Sequence, residues 1–128
     1  MAIKTVTVSV HCKKNGKLSL DVDNWEVRGK KADADELEWK CVAVANCGTM
    51  KWIRIENPGS AANWPFAATP PDARYVGKPG TPATSGPLRG SYVASPIPVR
   101  YGITVCFADD TDPNAERYAY IDPDMVFD

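Results

Sequence analysis

The last thirteen residues, Glu116-Arg-Tyr-Ala-Tyr-Ile-Asp-Pro-Asp-Met-Val-Phe-Asp128, decide the class of fold. An aromatic-rich segment runs into Asp122-Pro123-Asp124 and resumes as Met125-Val-Phe127. Proline cannot donate a hydrogen bond to a sheet ladder, so the segment predicts a β-strand that is interrupted at Pro123 and then continues with another partner or at another edge. Such a change of partner is typical of β-sandwiches.

The chain upstream of this ending shows the alternation of polar and apolar residues that marks half-buried strands. Residues 5–10, 18–22, 50–56 and 99–107 all alternate, and Asn15-Gly16 supplies a hairpin turn between the first two. No stretch has the period of a helix of usable length. Seven or eight short strands at this spacing predict an all-β fold, an antiparallel β-sandwich.

Residues 37–44 predict an interior strand, because apolar residues, including Val42, fall on both faces. A turn at residues 46–48 is followed by residues 50–56, which return beside it. In this returning strand Ile53 and Ile55 predict the core face, whereas Trp52 shares the outward face with Arg54 and Glu56.

Residues 57–98 form a loop segment rich in proline and glycine within the single predicted domain, residues 1–128. The segment holds nine of the eleven prolines and five of the nine glycines, which excludes long strands. It also carries Trp64, Phe66, Tyr75 and Tyr92. So many aromatic side chains indicate that the segment packs against the sandwich.

Composition narrows the classes of partner and compartment. The net charge of −1 gives no attraction to nucleic acid or to an acidic membrane surface, and no apolar run is long enough to span a bilayer. The N-terminus lacks the pattern of a secretory leader, so a cytoplasmic location is expected unless processing has removed a leader. In that compartment Cys12, Cys41, Cys47 and Cys106 are predicted to be reduced.

The order of motifs resembles that of small bacterial proteins with an immunoglobulin-like or cupredoxin-like sandwich, whose function is largely unassigned. The motifs that carry the resemblance are Leu37-Glu-Trp-Lys, Trp64-Pro-Phe66, Val99-Arg-Tyr-Gly-Ile-Thr-Val and the Asp-Pro-Asp ending. Resemblance to cupredoxins raises the question of whether the chain binds copper. A blue-copper centre needs two histidines and a cysteine, and His11 is the one histidine, so no cofactor is expected.

One weak metal motif remains near the C-terminus. Oxygen-bearing side chains alternate at Asp110, Asp112, Asn114 and Glu116, a spacing that calcium loops use. Pro113 and the missing glycine depart from the EF-hand pattern, so a solvated hairpin turn is the favoured interpretation.

Candidate binding residues are the aromatic side chains and one arginine, because exposed aromatics beside charge are typical of contact surfaces. Trp52 is the foremost candidate, with the alternative that the proline-rich segment covers it. The full candidate set is Trp52, Arg54, Trp64, Phe66, Tyr75 and Tyr92.

The sequence favours a binding or structural module over an enzyme, since phosphate-loop, nucleophile-elbow and zinc-protease motifs are missing. The expected partner is a protein, or a second copy of the chain held by Met125, Phe127 and the face bearing Trp52. The alternative for this tail is that it completes the core of its own domain. A carbohydrate-binding module with coplanar aromatics and a hydrolase with an unrecognised carboxylate pair are the other function classes.

Overall fold

The computed structural model describes residues 2–13, 17–43, 48–57, 63–70, 75–108 and 114–128. Within these ranges the chain is all-β, as predicted, with no α-helix and hence none able to cross a membrane. The predicted turn at Asn15-Gly16 lies outside the described residues. The strands are β1 (Ile3–Cys12), β2 (Leu18–Val22), β3 (Glu26–Gly29), β4 (Glu36–Ala43), β5 (Thr49–Glu56), β6 (Val76–Gly77), β7 (Ala83–Thr84), β8 (Ser95–Arg100), β9 (Gly102–Ala108), β10 (Glu116–Ile121) and β11 (Asp124–Phe127).

These strands form three sheets, with strand orders β2-β1-β4-β7, β10-β9-β5-β6 and β3-β11-β8. Most neighbouring pairs are antiparallel, but β1 pairs with β4 and β11 pairs with β3 in parallel. The prediction of a purely antiparallel arrangement is therefore wrong for these two pairs. A parallel pair needs a long connection, and β2 and β3 provide it between β1 and β4.

The chain changes sheet between β10 and β11, which confirms the change of partner predicted at Pro123. It also changes sheet at Tyr101, between β8 and β9, so residues 99–107 are not the single strand that their alternation predicted. The two crossings meet, because the backbone N–H of Tyr101 donates to the carbonyl oxygen of Pro123 at 3.0 Å. Each crossing thereby supports the other.

The β4–β5 connection is a third change of sheet. The prediction that residues 50–56 return beside β4 is wrong, because these residues pair with β9 and β6. Val42 of β4 is 48% exposed, so the outer face of this strand is wet rather than apolar and buried. β4 is therefore an interior strand of its sheet, between β1 and β7, but it is buried on only one face.

One hydrophobic core joins all three sheets, and its largest fully buried side chain is Trp39. The Trp39 indole Nε1–H donates to the hydroxyl of Tyr101 at 3.0 Å, which satisfies a polar group that is costly to bury alone. The proline-rich segment adds Trp64, Phe66 and Tyr75 to this core. The segment also contains regular structure, because β6, β7 and the beginning of β8 lie within it.

The cysteines differ from the prediction of four thiols. Cys12, at the end of β1, is in a disulfide bond, whereas Cys41 and Cys106 are free. Cys47 lies outside the described residues. The prediction is wrong for Cys12 because it rested on the expected reducing compartment, which does not bear on which parts of the chain meet in the fold.

The C-terminal tail belongs to the core of its own chain. Met125, Val126 and Phe127 are all buried, and β11 is the middle strand between β3 and β8. Of the two alternatives for this tail, the structure supports closure of the core. Its apolar side chains leave nothing exposed with which to hold a second subunit.

Candidate functional site

The outer face of the β10-β9-β5 sheet carries the most concentrated exposed aromatic surface among the described residues. Strand alternation explains its composition. Ile53 and Ile55 of β5 point into the core, so the residues that alternate with them, Trp52, Arg54 and Glu56, point outward. Tyr118 and Tyr120 of β10 are 56% and 55% exposed. We call this surface the aromatic face; its residues are Trp52, Arg54, Glu56, Thr104, Cys106, Glu116, Tyr118 and Tyr120.

Register arranges the aromatic face in two rows across three strands. Trp52 of β5 lies opposite Cys106 of β9, which lies opposite Tyr118 of β10. The rings of Trp52 and Tyr118 reach towards each other over the cysteine, with centroids 6.0 Å apart and planes inclined at 50°. Cys106 is consequently buried although its side chain is on the outer side of the sheet.

The second row places a fixed cation beside the indole. Arg54 lies opposite Thr104, and its guanidinium carbon is 4.8 Å from the centroid of the Trp52 ring. The same guanidinium donates to Glu56 Oε1 from Nε at 3.0 Å and from a terminal nitrogen at 2.7 Å. A paired and stacked arginine loses little further rotamer freedom when a partner binds.

A network around Glu116 holds the other end of the aromatic face. Its carboxylate accepts hydrogen bonds from Lys51 Nζ at 2.8 Å, from the Cys106 thiol at 3.5 Å and from the Tyr118 hydroxyl. These donors, the lysine foremost, lower the pKa of Glu116 to about 2. The bond to Glu116 in turn raises the pKa of Tyr118 to about 12. The tyrosine therefore stays neutral at physiological pH and is tethered at its hydroxyl.

Acid should release this network. The folded-state pKa of Glu116, about 2, lies below its ordinary value of 4.5, so its contribution to stability is present above pH 4.5 and is lost as the pH falls towards 2. We expect Glu116→Gln to narrow the difference in unfolding free energy between pH 6 and pH 2.5. Denaturant unfolding at the two pH values measures this, with Glu26→Gln as a matched control. Equal pH dependence in the wild type and Glu116→Gln would contradict the assignment.

The structure separates the predicted binding residues into two groups. Trp52 and Arg54 belong to the aromatic face. Trp64, Phe66, Tyr75 and Tyr92 are buried, so their prediction as surface contact residues is wrong. Their polar atoms bond inward: the Tyr75 hydroxyl donates to the carbonyl of Ala68 at 2.9 Å and that of Tyr92 to the carbonyl of Phe127 at 2.8 Å.

Sequence reasoning missed Tyr118 and Tyr120, which supply most of the exposed ring surface. A signal was present, because Glu116, Tyr118 and Tyr120 alternate with Arg117, Ala119 and Ile121. Ala119 and Ile121 pack against the core, which turns the tyrosines outward.

Only half of the calcium motif lies within the residues that the structure describes. Asp110 and Asp112 lie outside those residues, Asn114 is exposed, and Glu116 is occupied by its three donors. Within the described ranges no three His, Cys, Asp or Glu side chains gather in a way that could hold a metal ion.

Comparison of the chain with protein-family models, with curated proteins and with solved structures finds no match.

Proposed function

We propose that the protein is a non-enzymatic binding module whose aromatic face contacts another protein. The observation that carries this proposal is that exposed Tyr118 and Tyr120 and half-buried Trp52 share one face with an arginine that is already positioned. Tryptophan, tyrosine and arginine dominate the energetics of protein interfaces because they bury much area at small entropic cost.

The shape of the aromatic face favours a protein over a sugar. A carbohydrate platform needs coplanar rings, whereas the planes of Trp52 and Tyr118 are inclined at 50°. The charges are balanced, with Arg54 on Glu56 and Lys51 on Glu116, so the face does not repel a second copy of itself. Self-association is therefore the first form of partnership to test. The two glutamates are held by these cations, and nothing in their arrangement favours a hydrolase.

Of two further expectations from the sequence, the type of sandwich stays a proposal and the compartment is proposed anew. An immunoglobulin-like or cupredoxin-like sandwich is supported by the shared core, while the two parallel pairs speak against a standard antiparallel form. The cytoplasmic location rested on sequence alone. The disulfide at Cys12 argues instead for an oxidising compartment, where such bonds persist.

Substitution of the rings of the aromatic face should weaken the contact without unfolding the domain. We expect Trp52→Ala and Tyr118→Ala each to raise the dissociation constant of the self-complex, or of a captured protein complex, at least tenfold, equivalent to about 1.4 kcal/mol. Sedimentation or light scattering over a concentration series measures self-association, and circular dichroism monitors the fold.

Trp25→Ala is the matched control, because Trp25 is an exposed tryptophan outside the sheet that carries the aromatic face. An equal loss in Trp25→Ala would contradict the proposal. Saturable binding of a soluble glycan that Trp52→Ala abolishes, with no protein partner, would replace it by the carbohydrate alternative.

A further inference from the structure

A pocket of about 370 Å³ opens where β4 and β5 separate into different sheets. The segment between β6 and β7 closes its far side, since β6 pairs with β5 and β7 pairs with β4. This volume lies in the range of small-molecule sites. The lining residues are Lys40, Cys41, Val42, Met50, Ile53 and residues 78–82.

The far wall of the pocket is a preformed tight turn. The backbone N–H of Lys78 donates to the carbonyl of Thr81 at 2.9 Å, and the N–H of Thr81 donates back at 2.8 Å. Pro79 and Gly80 occupy the centre of this turn, and Gly80 has a φ of 81°. Proline followed by a glycine with positive φ is the signature of a type II turn, so the wall needs no ordering before a ligand binds.

The chemistry of the lining is apolar with positive charge. Cys41, Val42, Met50, Pro79 and Pro82 offer an apolar surface, and methionine adapts readily to the shape of a ligand. Burial raises the pKa of the Cys41 thiol to about 11, so this cysteine is neutral at physiological pH.

Two lysines, Lys40 and Lys78, line the pocket, and no carboxylate is among the lining residues that the structure describes. The ammonium of Lys40 is 3.8 Å from Glu38 Oε1, a long contact for an ion pair and a weak competitor for a ligand. An anion gains from both cations, whereas a cation is repelled by both.

We propose that this pocket binds a small carboxylate with an apolar body, the carboxylate lying between Lys40 and Lys78 and the body lying on Cys41, Val42 and Met50. A ligand of this class matches both properties of the lining, as neither a sugar nor a metal ion does. The pocket is separate from the aromatic face, so this inference stands independently of the proposed protein contact.

Three eight-carbon probes of different charge test the inference: octanoate, octanamide and octylamine. Titrations followed by the methyl resonance of Met50 should show saturable binding of octanoate, weaker binding of the neutral amide and none of the amine. We expect the double variant Lys40→Gln/Lys78→Gln to weaken octanoate binding at least about fivefold, as removal of modest charge pairs does. Octanoate should also slow alkylation of Cys41.

The matched control is Lys4→Gln/Lys31→Gln, which removes two exposed charges away from the pocket. This control should bind octanoate as the wild type does. Equal affinity for all three probes, equal weakening in the control, or no saturable shift of Met50 up to the solubility of octanoate would each overturn the inference.

Discussion

Deletion of residues 125–128 should unfold the domain rather than release a tail. The deletion removes β11, the middle strand of its sheet, and leaves β3 and β8 without a partner. It also removes Phe127, whose ring meets Phe66 edge to face at a centroid distance of 5.2 Å. The backbone carbonyl of the same residue accepts the hydroxyl of Tyr92, so a buried hydrogen-bond partner is lost as well.

Point substitutions separate the core role from a general effect of truncation. We expect Phe127→Ala to lower the free energy of unfolding by about 3–5 kcal/mol, the usual cost of emptying a buried phenylalanine site. Gly29→Ala should also destabilise, because a Cβ at this position would lie 2.3 Å from the Phe127 ring. Denaturant unfolding measures both variants.

The neighbouring Asp128 provides the control for the tail. Its carboxylate pairs with Lys30 at 3.1 Å on the surface, so Asp128→Ala should cost less than about 1 kcal/mol. If the truncated protein were folded and differed from the wild type only in oligomeric state, the tail would be an interface and the core assignment would fail.

The local pattern of the sequence predicted which residues face the core in several strands. Val6, Val8 and Val10 of β1 are fully buried, and so are Ile53 and Ile55 of β5, as their alternation indicated. This success has a simple cause. The two-residue period is a property of each strand alone, and it survives whatever partner the strand takes.

Partnership between strands was beyond the sequence pattern because it depends on residues far apart in the chain. The parallel pairing of β1 with β4 joins residues separated by two intervening strands. The break at Tyr101 has no local signal, since Val99, Tyr101 and Ile103 alternate without interruption. What ends the strand is a hydrogen bond to Pro123, more than twenty residues away.

In the candidate site too, what depends on local alternation was predicted and what depends on distant contacts was not. Trp52 and Arg54 were found because they alternate with two isoleucines that plainly belong to the core. The aromatic side chains of the proline-rich segment were wrongly predicted to be contact residues. The composition of the segment indicates that it packs on the sandwich, but not whether a given ring is buried or exposed. Burial of Tyr92 depends on the carbonyl of Phe127, thirty-five residues later in the chain.

Loss of the Cys12 disulfide is the second large effect that we expect. Cys12 ends β1 and packs partly against the core, so its bond ties the end of that strand to another part of the chain. Removing a native disulfide from a small domain costs about 2–5 kcal/mol, chiefly because the unfolded chain regains freedom. We therefore expect Cys12→Ser, or reduction of the wild type, to lower the unfolding free energy by an amount in this range.

Cys41→Ser is the control, since Cys41 is a half-buried free thiol of the same sheet. Cys41→Ser removes no disulfide bond, so reducing agent should destabilise this variant as much as the wild type. Reducing agent should leave the stability of Cys12→Ser unchanged, because that variant has already lost the bond. Thiol titration of the denatured, unreduced protein should count two free thiols. A count of four, with no effect of reducing agent on stability, would show that the bond does not form and would restore the expectation of a reducing compartment.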